Sequence, residues 1–244
     1  MNGPRSHPNP LLRGRRFGNG APTPKLWYRL ARRIFQVTMC AMWRVRVFNR
    51  HLEPASGGAL YICNHQSYLD PMLMSFALRR PMSYMARASL FRMPGFRHVI
   101  ESLNALPVKR GAADTAALKE ATRRLKAGGQ LVVFAEGTRT TDGRIGPFLP
   151  GVAMLARRAA EWTVPVVIDG AFEAWPRWRR LPRTGSVVVQ YGTPVPRDRA
   201  RETKGERFVE DLRKTLIRMQ TEVRRRIGKL PLDYDRPFET EGTP

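Results

Sequence analysis

Ala59-Leu60-Tyr61-Ile62-Cys63-Asn64-His65-Gln66-Ser67-Tyr68-Leu69-Asp70-Pro71 passes from an apolar run through a polar turn into a helix start. Ala59 to Cys63 has the length of a strand, and its apolar continuity marks a strand covered on both faces. Asp70-Pro71 reads as an N-terminus, with the aspartate at the cap and proline at the first helical position. His65 falls on the turn between them. A five-residue offset would place two helical side chains about 140° apart. His65 and Asp70 therefore do not share a helix, and the turn can fold the imidazole back onto the carboxylate. Such a pair is a base held by an orienting acid. It can equally be a helix cap beside an incidental loop histidine.

Outward from this unit, short apolar runs alternate with helical patterns. A helix is expected from Pro71 to about Arg79, a strand over Met82–Ala86 and a short helical region near Pro94–Ile100. Leu103–Val108 reads as a strand, and Asp114–Lys126 as a helix ended by Gly128-Gly129. Leu131–Ala135 is another strand, Gly151–Trp162 a helix, and Val164–Asp169 and Val187–Tyr191 are further strands. The last helix runs over about Gly205–Ile227, with an arginine-rich end that suits its dipole. The fold class is α/β: a mostly parallel central sheet flanked by helices.

The chain has 244 residues, 42% of them hydrophobic, and includes five tryptophans, so it can bury one substantial core. Its formal net charge is +23, which predicts a polyanionic partner: nucleic acid, an anionic membrane surface or acidic substrates. Cys40 and Cys63 have neither metal spacing nor a disulfide framework, and are expected to be small buried hydrophobes. Residues 1 to 50 carry eleven Lys or Arg and no acid. Residues 1–24, rich in Pro, Gly, Asn and Arg, read as a disordered basic tail whose prolines and glycines oppose a transit-peptide helix.

Residues 25–50 read as a basic amphipathic helical membrane anchor. Leu26, Leu30, Ile34, Val37 and Ala41 recur at helical spacing, with Lys25, Arg29, Arg32 and Arg33 mostly opposite. The apolar run from Ile34 to Trp43 is too short to span about 30 Å of hydrocarbon. It suits a helix lying in the interface, with Trp27 and Trp43 at headgroup depth. The alternative is a helix packed on the main domain. That domain is expected over 51–228, with 229–244 a C-terminal tail.

Two other segments bear on the His65 turn. Leu106-Pro107-Val108-Lys109-Arg110-Gly111 places two cations beyond a strand. Phe134-Ala135-Glu136-Gly137-Thr138-Arg139 leaves a strand with a carboxylate, a glycine, a hydroxyl and a guanidinium. In open α/β sheets ligands bind beyond the carboxyl ends of strands, where His65, Arg110 and Glu136 to Arg139 would converge. Guanidinium groups match phosphate, and Gly137 would let backbone N–H groups approach an anion. Glu136 repels phosphate, so its expected work is to brace an arginine or bind a hydroxyl.

Asn64-His65 through Asp70 resembles the Asn-His-x-x-x-x-Asp motif of the lysophosphatidic acid acyltransferase family of glycerolipid acyltransferases. Leu106 to Gly111, Phe134 to Thr140 and Val164-Pro165-Val166 resemble that family's second, third and fourth motifs, in order. The resemblance covers about residues 50 to 195. Ala135 stands where the family usually has proline and Thr140 where it has serine. Phe148-Leu149-Pro150-Gly151 lacks the family's usual two lysines.

The resemblance implies acyl transfer from a thioester, acyl-CoA or acyl carrier protein, to the free hydroxyl of a lysophospholipid. The acceptor is expected to be lysophosphatidic acid, giving phosphatidic acid in phospholipid biosynthesis; another lysolipid is the alternative. It further implies His65 and Asp70 as the catalytic pair, with Arg110, Glu136, Gly137, Thr138 and Arg139 at the substrate phosphate. No metal and no tightly bound cofactor are expected. The protein is expected at the cytoplasmic face of a membrane, peripheral or monotopic. Ser67 has no Gly-x-Ser-x-Gly elbow around it, which opposes a nucleophilic serine. A thioesterase would have no use for the phosphate-holding segments. The chain shows no zinc spacing, helix-turn-helix or RNA-binding signature, so the membrane surface accounts better for the charge than nucleic acid does.

Overall fold

The computed structural model describes residues 41–92, 104–108 and 114–238, together with Leu26, Leu30, Arg33, Ile34 and Val37. In chain order the strands are β1 Trp43–Phe48, β2 Ala59–Cys63, β3 Met82–Arg87, β4 Ala105–Val108, β5 Gln130–Phe134, β6 Trp162–Asp169, β7 Gly185–Tyr191 and β8 Val195–Pro196. The helices are α1 Asp70–Ala77, α2 Thr115–Lys126, α3 Gly151–Arg158, α4 Ala171–Ala174, α5 Arg197–Glu202 and α6 Gly205–Arg226. The sheet order is β1-β7-β6-β2-β5-β3-β4, with β8 paired to β6. From β6 to β4 every pairing is parallel, and β7 joins β6 antiparallel. The strand predictions for this half are met.

The apolar continuity of β2 is resolved by its pleat. Leu60 and Ile62 enter one core, with Leu125 of α2, Leu155 of α3 and Leu216 of α6. Ala59, Tyr61 and Cys63 face the other, against Leu69, Leu73 and Val166. Each fully buried side chain of this size contributes roughly 1.5–3 kcal/mol. Along α6, Phe208, Val209, Leu212, Leu216, Met219 and Val223 repeat at helical spacing and are buried, while most of the intervening charges face solvent and Arg213 and Arg224 turn inward. At the sheet end of this helix, buried Asp169 accepts from Arg224 at 3.0 Å and Lys229 at 3.5 Å. Residues 229–238 then return over the domain, where Arg144 donates to the carbonyls of Asp233, Arg236 and Pro237.

Three boundaries differ from the sequence reading. Trp43–Phe48 is not the end of an anchor helix but an edge strand, parallel to β7 in register Trp43↔Gly185. Trp43 is 3% exposed and its Nε1 donates to the Arg183 carbonyl at 2.7 Å, so it does not lie at headgroup depth. The helix expected to reach Trp162 stops at Arg158, because the N–H groups of Glu161 and Trp162 turn to the Gly58 carbonyl and open β6. At α1, Asp70 is the first helical residue and Leu69 the cap, with no side-chain cap bond.

The described positions between Leu26 and Met42 are helical. Leu26, Leu30, Ile34 and Val37 are exposed there. Among the described residues no helix is long and apolar enough to cross a membrane. Residues 1–24, Trp27, the expected helix near Pro94–Ile100 and Cys40 lie outside the described residues.

Candidate active site

The carboxyl ends of β2, β5 and β6 meet at one end of the sheet. Asn64, just past β2, is buried and reads β6 on both sides of its amide: Nδ2 donates to the Ile168 carbonyl at 2.9 Å, and Oδ1 accepts from Ile168 N–H at 2.8 Å. The sequence motif named Asn64 without a role. Its work is to clamp the start of the His65 turn to the neighbouring strand.

From that clamp the turn folds back as the spacing predicted. His65 Nδ1 lies 2.7 Å from Asp70 Oδ2. The same oxygen accepts from the N–H groups of Gln66 at 2.6 Å and Ser67 at 2.8 Å. Asp70 is fully buried, so three donors on one oxygen hold it as an acceptor. An acceptor at Nδ1 fixes the proton there and leaves the Nε2 lone pair free. Phe134 stacks on the imidazole at 4.3 Å between centroids and 19° between planes, fixing the ring. Ser67 is buried with its hydroxyl donating to the Trp175 carbonyl at 2.7 Å, a structural bond that removes it from nucleophilic work.

The turn after β5 is built differently from the expectation. Among the described residues no arginine side chain bonds to Glu136. Its Oε1 accepts from His65 N–H at 2.8 Å and its Oε2 from Gly146 N–H at 2.9 Å, tying the base's main chain to the following loop. Burial pushes the Glu136 carboxyl up to about 7, the charge of Asp70 adds to that, and the two N–H donors and Arg213 pull the other way. Arg213 in turn holds the carbonyls of Gly146 and Ile145. Gly146 and Arg213 carry no motif signature, so sequence reasoning had no means of finding them.

Gly137 contributes shape rather than a donor. Its N–H closes the turn onto the Phe134 carbonyl at 3.1 Å. Its φ is +70°, and a Cβ there would meet Leu149 Cδ1 at 2.7 Å. Thr138 is exposed at the tip. Arg139 folds over the Tyr68 ring, with its guanidinium carbon 3.6 Å from the centroid. One of its terminal nitrogens is buried and has no hydrogen-bond partner. Thr140 N–H returns to the His65 carbonyl at 2.8 Å, so Arg139 and the base are fixed by adjoining backbone. Arg110 lies outside the described residues.

Burial, and then the charges of Asp70 and Glu136, push the Cys63 thiol well up, which keeps this buried cysteine protonated. Among the described residues no group of three or more His, Cys, Asp or Glu is placed to hold a metal ion.

Residues 44–169, just over half of the chain, match the family model described as acyltransferase. The chain belongs to the acyltransferase family. Its matched span carries every part of the turn system described above except Ser67's partner Trp175 and Arg213. Among relatives, a 1-acyl-sn-glycerol-3-phosphate acyltransferase of Cocos nucifera is 30% identical over 155 residues, covering 62% of this chain and 50% of the relative. A Bacillus subtilis protein of the same description is 25% identical over 169 residues, 69% of this chain and 82% of the relative. The chain thus spans about half the length of the coconut relative, and 37% of a chloroplastic one from Brassica napus. The crystal structure of the 1-acyl-sn-glycerophosphate acyltransferase PlsC of Thermotoga maritima superposes with a TM-score of 0.69 at 24% identity, over 80% of this chain and 79% of that one. At that identity the likeness establishes the shared fold.

Proposed function

We propose that this protein transfers an acyl group from a thioester directly to the free hydroxyl of a lysophospholipid, with lysophosphatidic acid as acceptor and phosphatidic acid as product. An alcohol is a poor nucleophile at neutral pH. His65 Nε2 takes the hydroxyl proton as the oxygen attacks the thioester carbonyl, a contribution of typically ~10²–10⁴-fold. The new C–O bond forms, the C–S bond breaks, and the imidazolium returns its proton to the departing thiolate. Asp70 holds the Nδ1–H tautomer and stabilises the imidazolium. No acyl-enzyme forms, because the substrate's own hydroxyl occupies the place a serine has in a triad.

The unpartnered Arg139 nitrogen beside this base carries the reading. A buried guanidinium N–H without an acceptor is costly unless a ligand supplies one, and a phosphate oxygen does. Arg110 joins it at the phosphate, with the exposed Thr138 hydroxyl. The relatives' descriptions as 1-acyl-sn-glycerol-3-phosphate acyltransferases support the same acceptor. The donor is acyl-CoA or acyl carrier protein. The exposed Leu26, Leu30, Ile34 and Val37, in a region rich in arginine, support attachment of the protein to an anionic membrane surface at its cytoplasmic face.

The test is product analysis with purified protein in mixed micelles of lysophosphatidate and acyl-CoA. Phosphatidate and free thiol should appear in equal amounts. Free fatty acid in place of phosphatidate would make the protein a thioesterase.

A further inference from the structure

Between Trp43 and Arg226, the large apolar side chains left exposed among the described residues are Tyr68, Leu149, Trp178 and Leu181, at 46%, 53%, 59% and 76% exposure. All four lie at the site end of the sheet. Tyr68 is in the His65 turn itself. Leu149 N–H donates to the Ala135 carbonyl, beside Glu136. Trp178 and Leu181 occupy the connection between α4 and β7, which touches the site through Tyr68: its hydroxyl donates to the Arg177 carbonyl, and its ring packs on Trp175 at 5.4 Å. Outside that span Met42, Leu230 and Phe238 are exposed too, at 37%, 85% and 37%; within it, apolar exposure gathered on one edge marks a contact surface.

The connection is held in shape. Arg179 N–H closes onto the Pro176 carbonyl at 3.2 Å, and Trp175 Nε1 donates to the Arg179 carbonyl at 3.0 Å. Arg183 is gripped from both sides, its N–H on the Ala174 carbonyl and its own carbonyl taken by Trp43. Phe172 meets the Trp178 ring edge-on at 5.3 Å and props it outward. The chemistry of the segment is one-sided. Arg177, Arg179, Arg180 and Arg183 punctuate Trp178 and Leu181, and no carboxylate occurs between Glu173 and Asp198.

We propose that this rim is a second membrane-contact surface, which seats Trp178 and Leu181 in the headgroup region of an anionic bilayer and brings the mouth of the site against the lipid. An indole at the interface with arginines at phosphate level is the arrangement such a surface favours. A stable protein partner needs about 800 Å² on each side, more than a few protruding side chains on two loops offer. β1 begins at this same end of the sheet, so the helical positions carrying Leu26 to Val37 enter the domain beside the Trp178 connection. An acceptor whose chains stay in the bilayer would reach His65 without leaving it. That last step rests on the proposed function; the surface itself does not.

The experiment uses the full chain, with folding checked by circular dichroism. Vesicles of phosphatidylcholine containing about one third phosphatidylglycerol supply the anionic surface. Partitioning of W178S/L181S should weaken about tenfold, and of R180E/R183E about tenfold on these vesicles but little on pure phosphatidylcholine. Brominated acyl chains should quench a component of the tryptophan emission that Trp178→Phe removes. Unchanged partitioning together with an unchanged quenched component overturns the proposal. So does normal vesicle binding with slowed transfer only from a protein-borne acyl donor, which would make the rim a docking face for an acidic carrier. In a kinetic arm, W178S/L181S should slow acylation of a vesicle-embedded acceptor about tenfold and of a dispersed short-chain acceptor less than about twofold. A wild type that acylates neither acceptor refutes the proposed function, while the binding and quenching arms still decide the surface.

Discussion

The turns after β2 and after β5 sit side by side at one end of the sheet and differ in how firmly their key side chains are held. In the His65 turn, one Asp70 oxygen takes three donors, and the His65 main chain is held at both its N–H and its carbonyl. In the Glu136–Arg139 turn, Thr138 is exposed and Arg139 keeps a buried nitrogen without a partner over the Tyr68 ring. A group that must do chemistry at a fixed angle gains from being over-determined. A group that must receive a substrate has to be left a place for it. The imidazole and its main chain are held in the free protein, although Gln66 Oε1 and Asp70 Oδ1 stay without partners, whereas the cationic Arg139 nitrogen is left for an anionic ligand.

The largest effect belongs to the turn that holds the base. His65→Ala should lower turnover by about 10²–10⁴-fold in a protein that still folds, since Asp70 Oδ2 keeps its two main-chain donors when the imidazole bond and the Phe134 contact are lost. A folded variant with near wild-type turnover would break the comparison at its first half. Asp70→Asn should cost turnover as much or less. The amide nitrogen must face donors that the carboxylate accepted, so this variant should also lose stability, by about 1–3 kcal/mol in denaturant unfolding.

Glu136 sharpens the comparison because it joins the two turns. Its carboxyl is raised to about 7 by burial, against an ordinary value of 4.5. A carboxyl raised on folding stabilises the native state fully below its unfolded value, and that contribution is lost as pH rises through the folded one. Wild type should therefore lose up to about 3 kcal/mol from this group between pH 4.5 and 7. Glu136→Gln cannot follow that slope. Denaturant unfolding of both proteins across the window should show the wild type's advantage shrinking as pH rises; a difference that grows with pH contradicts the assignment.

The smallest expected effect is at Ser67. Ser67→Ala removes the bond to the Trp175 carbonyl and should cost about 1–2 kcal/mol of stability. Turnover should stay within a few-fold. Loss as deep as that of His65→Ala would restore a nucleophilic serine and an acyl-enzyme.

The sheet was legible because continuous apolar strands such as Leu131 to Phe134 admit one explanation, burial on both faces. β1 was legible too, and went unseen for a physical reason. Trp43-Arg44-Val45-Arg46-Val47 alternates with period two, but the helical spacing of Leu26 to Val37 leads straight into it, and a few residues of strand weigh little against it. The pairing of His65 with Asp70 followed from their spacing and the helix start at Pro71. Glu136 was placed in the right site and given the wrong partner. Its acceptors are used by the main-chain N–H groups of His65 and Gly146, 71 and 10 residues away, and no side-chain pattern encodes a backbone donor. Arg213 was out of reach for the same reason: it acts on the carbonyls of Ile145 and Gly146 from a helix most of whose other cations are surface charge.

The claim that a firmly held base stands beside an unfinished anion seat is tested most directly by acceptor selectivity. The measurement is the ratio of kcat/KM for lysophosphatidate to that for monoacylglycerol, in wild type, Arg139→Ala and His65→Ala. A charge-assisted phosphate bond is worth about 1.5–3 kcal/mol, so Arg139→Ala should collapse the ratio by about tenfold or more. His65→Ala should lower both rates and leave the ratio where it was. A ratio that Arg139→Ala leaves unchanged would contradict the account, because the unpartnered guanidinium would then not be waiting for phosphate.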